Sequence, residues 1–384
     1  MRIGIDARML GYSGIGRYAE NLIRELAKID KKNQYIIFLQ KRKIKSEIRN
    51  PKFETNHNLQ ILNSKNCKII ETDAPIYSIK EQSNFWRTVV KQKLDIMHFT
   101  HFNVPVLYRR PYVVTIHDLT PLYFPGKKRK SILEKKAYKF VLKNALKRAQ
   151  KIIAVSKFTK SDILKNFPFI NDKKIEVIYE GAGATAAVKL KTKILNSKFL
   201  IPNSYLLYVG VWREHKNILG LIRAFEKLKK TTKLVIVGKP DPYYKEVERA
   251  SKNSKFKKDI ILTGYVTDDE LTGLYQNAAA FVFPSFYEGF GLPPLEAMAK
   301  NVPVLSSNTS SLPEILGDAA LYFNPRDEKD MVDKIKKILD DKKLRNDLIE
   351  KGKKRVLKYS WKECAEKTLR VYNSLMTNFK ITNE

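Results

Sequence analysis

Residues 286–296 read FYEGFGLPPLE, and they follow the apolar run AAFVFPS at 279–285. The apolar run predicts a buried strand, and Pro293 with Pro294 fits the first turn of a helix. Glu288 would lie on the loop that leaves the strand, and Glu296 just inside the helix. A strand, a glycine-containing loop and a helix form the repeating unit of α/β proteins. The stretch therefore predicts a parallel sheet with two carboxylates at its carboxyl edge.

The same alternation extends along the chain and divides it into two parts. Five strand candidates (RIGID, QYIIFLQ, IMHF, YVVTIH, KIIAV) precede five others (YLLYVG, KLVIVG, IILTGYV, AAFVFPS, VPVLSS). The small and polar stretch 181–204 between them is interpreted as a linker. The pattern predicts an α/β protein with two Rossmann-like, doubly wound domains at 1–180 and 205–360, and a closing helix at 361–384.

Length and composition restrict the function classes. The 384 residues suffice for two domains, and their apolar runs are too short to cross a bilayer. The beginning, MRIGIDARML, lacks the features of a signal peptide, so we expect a cytoplasmic protein. Cys67 and Cys364 are the two cysteines and predict no disulfide framework. The net charge of +33 fits nucleic acid, an anionic membrane, or simply a lysine-rich proteome.

Gly14 and Gly16 lie in a G-x-G-x-x-A pattern that ends at Ala19. A dinucleotide site also needs an acid at the end of the second strand, and YIIFLQKRK has none, so a nicotinamide or flavin cofactor is not favoured. The glycines would let backbone approach a substrate or a phosphate; an ordinary tight turn is the alternative.

Arg213 and Lys216 lie between a strand and a helix in VGVWREHKN. Two cations beside a helix N-terminus suit a diphosphate and could neutralise it as a leaving group. The alternative is two solvated surface cations. Because a carboxylate accepts hydrogen bonds from two neighbouring hydroxyls, Glu288 could hold a sugar and Glu296 a ribose. The ligand that this combination indicates is a nucleotide sugar.

These segments together resemble retaining glycosyltransferase family 4. The resemblance rests on EGFGLPPLE (Glu288 to Glu296), GVWREHKN, TGYV, the run from Val302 to Phe323, GIGRY from Gly14, and VTIHD ending at His117 and Asp118. It follows the same order over almost the whole chain. It implies the GT-B arrangement, in which two Rossmann-like domains face a cleft, the first on the acceptor side, and a C-terminal helix packs back on the first domain.

The resemblance also implies roles for individual residues. Glu288 would bind the donor sugar, with support from the backbone of Phe290, Gly291 and Leu292, and Glu296 would hold the ribose. Arg213 and Lys216 would bind the diphosphate, Tyr265 and Val266 would line the base pocket, and Gly14 and Gly16 would lie close to the donor. His117 follows the apolar run YVVTI, and the family match favours a contact with the donor sugar over a buried histidine satisfied by backbone.

No metal site is predicted. His98 and His101 are three apart on a strand and would face opposite sides, and the chain contains no Asp-x-Asp. Catalysis is therefore expected to be metal-independent and to need no cofactor besides the nucleotide-sugar substrate.

Residues 126–151 carry eleven basic residues and a single acid. An apolar stripe is predicted on this helix from Leu133, Ala137, Val141, Leu142, Ala145 and Leu146. The segment could lie on an anionic membrane surface, or it could pack on its own domain with a solvated basic face.

The sequence thus predicts a retaining glycosyltransferase that moves a hexose, with mannose from GDP-mannose as the donor, to a glycan or lipid-linked hydroxyl. A nucleic-acid-binding protein is one alternative, although no nucleic-acid module is recognised and no nucleic-acid partner is expected. A two-carboxylate glycoside hydrolase is another, although cations beside the acids do not suit that chemistry.

Overall fold

The structure is a computed structural model that describes residues 1–41, 66–126, 131–182, 204–228 and 232–381. The chain forms two compact units. The first contains Met1–Leu119, Ser131–Gly181 and Ser360–Glu384, and the second contains Thr120–Lys130 and Ala182–Tyr359.

The first unit contains a seven-stranded parallel sheet of order β3-β2-β1-β4-β5-β6-β7. Strands β4 and β5 are buried along their whole length, as expected for a parallel sheet covered on both faces. The order reverses between β1 and β4, so their loops diverge at that point of the carboxyl edge. The strands are β1 (Arg2–Asp6), β2 (Gln34–Gln40), β3 (Cys67–Thr72), β4 (Ile96–Phe99), β5 (Tyr112–Ile116), β6 (Lys151–Ala154) and β7 (Ile175–Val177).

The α-helices of this unit are α1 (Ser13–Ile29), α2 (Trp86–Lys91), α4 (Ile132–Arg148), α5 (Lys157–Asn166) and α13 (Trp361–Ile381). A π-helical turn at Glu81–Phe85 precedes α2, and a 3₁₀ turn at Asp172–Lys174 precedes β7. Helix α13 packs against α1 through its apolar stripe, which includes Trp361, Cys364 and Tyr372. The predicted closing helix is thus present, and it clusters with the first unit.

The second unit contains a six-stranded parallel sheet of order β10-β9-β8-β11-β12-β13. Its strands are β8 (Tyr205–Val209), β9 (Leu234–Val237), β10 (Ile260–Gly264), β11 (Ala278–Phe283), β12 (Val304–Ser307) and β13 (Ala320–Phe323). Its helices are α3 (Thr120–Tyr123), α6 (Ile218–Glu226), α7 (Glu246–Asn253), α8 (Asp268–Gln276), α9 (Leu292–Ala299), α10 (Leu312–Leu316), α11 (Glu328–Asp340) and α12 (Lys342–Val356), with 3₁₀ turns at Glu214–Lys216 and Gly317–Ala319.

The prediction of five strands in each sheet is wrong. All ten predicted strands are present, but β3, β7 and β13 were missed. Each of these three lies at the edge of its sheet and is partly exposed. Charged residues interrupt the apolar pattern of β3 and β7, whereas β13 was missed although its four residues, ALYF, are apolar.

One predicted domain boundary differs from the structure, and another cannot be compared with it. Thr120–Lys130 was assigned to the first domain but clusters with the second unit. The reason is aromatic packing: the ring of Tyr123 lies 5.1 Å from that of Tyr287, and Phe124 stacks on Phe286 at 6.2 Å. Most of the predicted linker 181–204 lies outside the described residues.

Helix α4 does not bury the whole apolar stripe that the sequence predicts. Its buried residues are Tyr138, Leu142, Ala145 and Leu146, whereas Leu133 and Ala137 are exposed. Residues 127–130 of the basic segment lie outside the described ranges. None of the helices described is both long and apolar enough to span a membrane.

Candidate functional site

The order of the second sheet places two loops with charged residues next to one another. Strand β8 lies beside β11, although β9 and β10 come between them in the chain. The order of strands reverses here, and open α/β sheets bind ligands at such points, beyond the carboxyl ends of the strands. Arg213 and Lys216 follow β8, and Glu288 follows β11.

Lys216 and Glu288 form an ion pair at this edge. Lys216 Nζ lies 2.6 Å from Glu288 Oε1, and the two side chains are 14% and 12% exposed. Lys216 also lies 5.5 Å above the ring of Phe283, the last residue of β11. The sequence predicts separate ligand groups for these residues, a phosphate for the lysine and a sugar for the glutamate. In the structure they neutralise one another, which offsets the cost of partial burial.

Arg213 is directed to a different neighbour. Its Nε lies 3.4 Å from Asp241 Oδ2, on the loop after β9, and the arginine side chain is largely exposed. Arg213 and Lys216 belong to the same turn, since the backbone N–H of Lys216 donates to the carbonyl of Arg213 at 3.0 Å. The turn therefore carries one cation held by a half-buried carboxylate and another that is more accessible to a ligand.

His215 lies between these cations and stays neutral. Burial, together with the charges of Lys216 and Arg213, lowers its pKa well below the ordinary value. Its carbonyl accepts from the backbone N–H of Phe286 at 2.7 Å, which ties the loop after β8 to the loop after β11. His215 thus supports the geometry of the turn without adding a third positive charge.

Two serines hold the backbone around Glu288. The N–H of Glu288 donates to Ser310 Oγ at 2.9 Å. Ser311 Oγ donates to the carbonyls of Glu288 and Phe290 at 2.9 Å and 3.2 Å. These hydrogen bonds fix the glutamate loop to the loop after β12.

The helix with the second carboxylate begins as the sequence predicts. Gly291 adopts a φ of 106°, and the Cβ of any other residue there would also lie 2.8 Å from the side chain of Leu312. Leu292 is the first residue of α9, and Pro293 and Pro294 lie in its first turn. Glu296 follows one turn later, half-buried, and Tyr275 donates to its Oε2 at 3.4 Å.

The predicted base-binding residues follow β10. Gly264 has a φ of 69°, and the Tyr265 side chain after it is exposed whereas Val266 is buried. The aromatic ring of Tyr265 is therefore accessible to a ligand.

Gly14, Gly16 and His117 belong to the first unit. The two glycines lie in the first turn of α1 and not in a loop before it, so the predicted glycine turn is wrong in that detail. A Cβ at Gly16 would lie 2.5 Å from the carbonyl oxygen of Met9, whereas a Cβ at Gly14 would meet no atom within 4 Å. Packing therefore requires glycine at position 16, and position 14 is open to an approaching ligand.

A buried ion cluster holds the segment between β1 and α1. Arg8 Nη2 lies 2.8 Å from both Asp6 Oδ2 and Glu81 Oε1, and its guanidinium lies 3.5 Å above the ring of Phe85. These contacts fix the chain just before the glycines.

His117 follows β5 and is buried, with both ring nitrogens in hydrogen bonds. Nδ1 lies 2.9 Å from Glu180 Oε1, and Nε2 lies 3.0 Å from the carbonyl oxygen of Thr100. The ring of Tyr18 packs edge-on against it at 4.9 Å. The sequence places His117 at the carboxyl edge correctly but gives no indication of Glu180.

His98 and His101 have separate partners. His98 Nδ1 lies 2.6 Å from the Tyr372 hydroxyl and Nε2 lies 2.8 Å from Thr115 Oγ1, and burial with the nearby His117 lowers the pKa of His98 to about 3. His101 Nε2 lies 3.0 Å from the Tyr77 hydroxyl. Among the described residues, no cluster of three or more His, Cys, Asp or Glu side chains could hold a metal ion.

Comparisons with known proteins identify the family of the chain. Residues 12–182 match Glycosyltransferase Family 4, and residues 195–355 match Glycosyl transferases group 1. O-antigen chain mannosyltransferase B of Escherichia coli is 34% identical over 296 residues, which are 73% of this chain and 74% of that protein. The chain belongs to the glycosyltransferases that combine these two domains.

Two further similarities bear on the glycosyltransferase and its fold. O-antigen chain mannosyltransferase RfbU of Salmonella typhimurium is 34% identical over 62% of this chain, and the match spans 63% of RfbU. The crystal structure of HepE from Anabaena with UDP-glucose is 14% identical and has a TM-score of 0.76, covering 97% of this chain and 100% of that one. The predicted family and the predicted fold with two Rossmann-like domains are confirmed.

Sequence reasoning about the glycosyltransferase missed several residues around the site. Ser310 and Ser311 lie in the run from Val302 to Phe323 that the family resemblance includes, so a signal was present without a role. Tyr275 and Asp241 carry no local signal, because their contacts with Glu296 and Arg213 join segments far apart in the chain.

Proposed function

We propose that this glycosyltransferase transfers mannose from GDP-mannose to a hydroxyl of a glycan or lipid-linked acceptor, with retention of anomeric configuration. Two relatives carry the name O-antigen chain mannosyltransferase, which supports mannose as the sugar. A structural neighbour was solved with UDP-glucose, which supports a nucleotide sugar as the kind of donor. The observation that carries the proposal is the Lys216–Glu288 pair at the point where the second sheet reverses its strand order.

In this proposal the ion pair exchanges partners when the donor binds. The diphosphate takes Lys216, and hydroxyls of the sugar take Glu288, so each buried charge keeps a partner of suitable chemistry. Arg213 adds a second cation from the same turn. Because negative charge builds on the leaving diphosphate, both cations stabilise the transition state more than the bound substrate.

The remaining donor contacts follow from the neighbouring loops. Glu296 holds the ribose diol, and Tyr265 and Val266 line the pocket of the base. The backbone of Phe290, Gly291 and Leu292 supports the sugar and phosphate, and Gly14 and Gly16 lie close to the donor.

The proposed reaction is a front-face substitution. The diphosphate leaves, an oxocarbenium-like centre forms, and the acceptor hydroxyl attacks the same face while the departing phosphate takes its proton. Arg213 and Lys216 supply countercharge to the diphosphate, so the reaction is proposed to be metal-independent.

A panel of GDP-, UDP- and ADP-sugars tests the donor assignment, with thermal shift and transfer to an acceptor measured in parallel. GDP-mannose should raise the Tm more than the other sugars and should be the donor consumed. A ligand present at 100 times its Kd stabilises the folded state by about 2.7 kcal/mol. Turnover that persists in EDTA supports metal independence. A larger response to another base or sugar would contradict the GDP-mannose assignment.

We also propose that α4 attaches the enzyme to the anionic inner face of the cell membrane. Ile132, Leu133 and Phe140 are 70%, 77% and 59% exposed on this helix. The lysines at 135, 136, 139, 143 and 147 are exposed on the same helix. Apolar side chains can enter the headgroup region while lysines contact anionic lipid, and attachment would bring the site to a lipid-linked acceptor.

Vesicle sedimentation tests this attachment. Binding should require anionic lipid, weaken with salt, and fall in an Ile132→Ser, Leu133→Ser double variant. Lys351→Ala and Lys353→Ala, on α12 of the second unit, are the control and should leave binding unchanged. Equal binding to neutral vesicles would contradict the proposal.

A further inference from the structure

His117 and Glu180 form a buried pair in the first unit. The two residues are 8% and 3% exposed, and His117 Nδ1 lies 2.9 Å from Glu180 Oε1. Glu180 follows β7, whereas His117 follows β5. Neither the family resemblance nor the local sequence gives Glu180 a function.

The partners of the imidazole determine where its protons lie. The Thr100 carbonyl has no proton to donate, so His117 Nε2 carries one and donates it at 3.0 Å. An ionised carboxylate is likewise an acceptor, so a hydrogen bond to Glu180 places a second proton on Nδ1. A ring with both protons is an imidazolium cation.

We propose that Glu180 is a positioning residue that keeps His117 as an imidazolium, so that His117 acts in the transferase as a hydrogen-bond donor and not as a base. The role of His117 as a donor to the sugar rests on the proposed function. Nε2–H can pass from the Thr100 carbonyl to a sugar oxygen without a change of protonation, while Glu180 retains Nδ1–H and fixes the orientation of the ring.

Charge compensation favours the same state. Within the part of the chain that the structure describes, His117 is the one basic side chain in an ion pair with Glu180. A neutral His117 would leave this carboxylate buried without a cation, which is costly.

Three other titratable groups that face the pair carry no charge. Burial raises the pKa of Tyr18 on α1 and of Cys364 on α13, so both stay protonated, and His98 on β4 is neutral. The ring of His101 lies 6.4 Å from that of His117. Asp118 adds a negative charge beside the imidazole. Burial alone would lower the pKa of His117, but the hydrogen bond and charge of Glu180, the Thr100 carbonyl and Asp118 together raise it.

Nitrogen NMR of the ¹⁵N-histidine-labelled full chain tests the proposal without a substrate. The chain has five histidines, and a His117→Asn variant identifies the signals of His117. In the wild type both ring nitrogens should stay protonated through pH 7. In Glu180→Gln the midpoint should fall by at least one pH unit, which is about a tenfold change in the ratio of protonated to neutral ring.

Two further variants separate the charge of Glu180 from its packing. Glu180→Asp should restore most of the high midpoint, and Glu176→Gln, on the exposed side of β7, should leave it unchanged. A neutral His117 at pH 7 in the wild type, or an unchanged midpoint in a folded Glu180→Gln variant, would overturn the proposal. If Glu180→Gln does not fold, the wild-type spectrum and Glu180→Asp still decide the protonation state.

Activity provides the second measurement. The kcat/KM of Glu180→Gln should fall relative to wild type as the pH rises from 6 to 8, because the variant loses the imidazolium earlier. If no sugar nucleotide is transferred at all, the proposed function fails, while the ring spectra still decide the state of His117.

Discussion

At the scale of single residues, the Lys216–Glu288 ion pair means that each partner stabilises the other. Removing one partner leaves the other charge half-buried and unpaired, so single variants mix a loss of function with a loss of stability. Removal of both cations also leaves Glu288 without Lys216, so the Tm of each variant must be measured beside its kcat to separate these effects.

Arg213→Ala with Lys216→Ala should lower kcat by on the order of 10² to 10³, because both cations act on charge that develops on the leaving diphosphate. Arg223→Ala with Lys227→Ala is the matched control, since both side chains bond Glu328 on the same unit. Steady-state kinetics should show kcat near wild type for the control. A wild-type kcat in the first double variant would exclude the assigned role.

Glu296→Ala should act mainly on donor binding. Loss of a charged hydrogen-bond acceptor for the ribose should raise the donor KM about tenfold, equivalent to about 1.4 kcal/mol, with little change in kcat. Tyr275→Phe removes the hydroxyl that contacts Glu296 and should have a smaller effect in the same direction. Isothermal titration with GDP-mannose gives the Kd directly, and an unchanged Kd in Glu296→Ala would contradict the ribose role.

The His117–Glu180 pair should make stability depend on pH. The folded-state pKa of His117 is raised, so the stabilising contribution is fully present below the ordinary histidine pKa of about 6.5. It is lost as the pH rises through the higher folded-state value. The Tm difference between wild type and Glu180→Gln should therefore be largest at acidic pH and shrink at alkaline pH; a difference that grows with pH would contradict this sign.

At the scale of elements, the two glycines of α1 provide a contrast. Gly16→Ala would force its Cβ against the backbone carbonyl of Met9 and should cost roughly 1–3 kcal/mol, or about 2–4 °C in Tm for each kcal/mol. Gly14→Ala meets open space and should leave Tm near wild type. If the backbone at Gly14 approaches the donor, the same substitution should still lower kcat/KM. A loss of Tm in Gly14→Ala equal to that in Gly16→Ala would contradict the structural distinction.

The elements that the sequence predicts correctly are those with one dominant local signal. Strand β5 is buried along its length and four of its five residues are Tyr, Val or Ile, whereas β7 has one buried residue in three and was missed. Helix α4 shows a different limit. The predicted apolar stripe is buried in the second half of the helix, but nothing in the local sequence indicates that Ile132 and Leu133 in its first turn are exposed.

The candidate site divides in the same way. The sequence predicts Lys216, Glu288 and Glu296 as ligand-binding residues because strand ends, glycines and prolines mark their positions locally. The sequence does not indicate Glu180, because its proposed role depends on a hydrogen bond to a residue 63 positions earlier. Contacts of this kind depend on the order of strands in the sheet, which periodicity does not specify.

At the scale of the whole molecule, the net charge of +33 is compatible with two kinds of anionic ligand, a nucleic acid and a nucleotide-sugar donor. A charge spread over the surface attracts nucleic acid through counterion release, and that attraction falls steeply between about 50 and 200 mM salt. A half-buried pair such as Lys216–Glu288 is screened much less, so a donor that binds there should be less sensitive to salt.

The Tm increase caused by each ligand at two salt concentrations distinguishes donor binding from nucleic-acid binding. At about 200 mM salt GDP-mannose should still raise the Tm, while a 20-nucleotide DNA should have lost most of any effect that it has at about 50 mM. The Arg213→Ala, Lys216→Ala variant should show a smaller response to GDP-mannose and keep the response to DNA at low salt, because its surface charge is almost unchanged. The opposite pattern, a DNA response that survives high salt and depends on Arg213 and Lys216, would favour a nucleic-acid-binding protein and place the function of these cations outside sugar transfer.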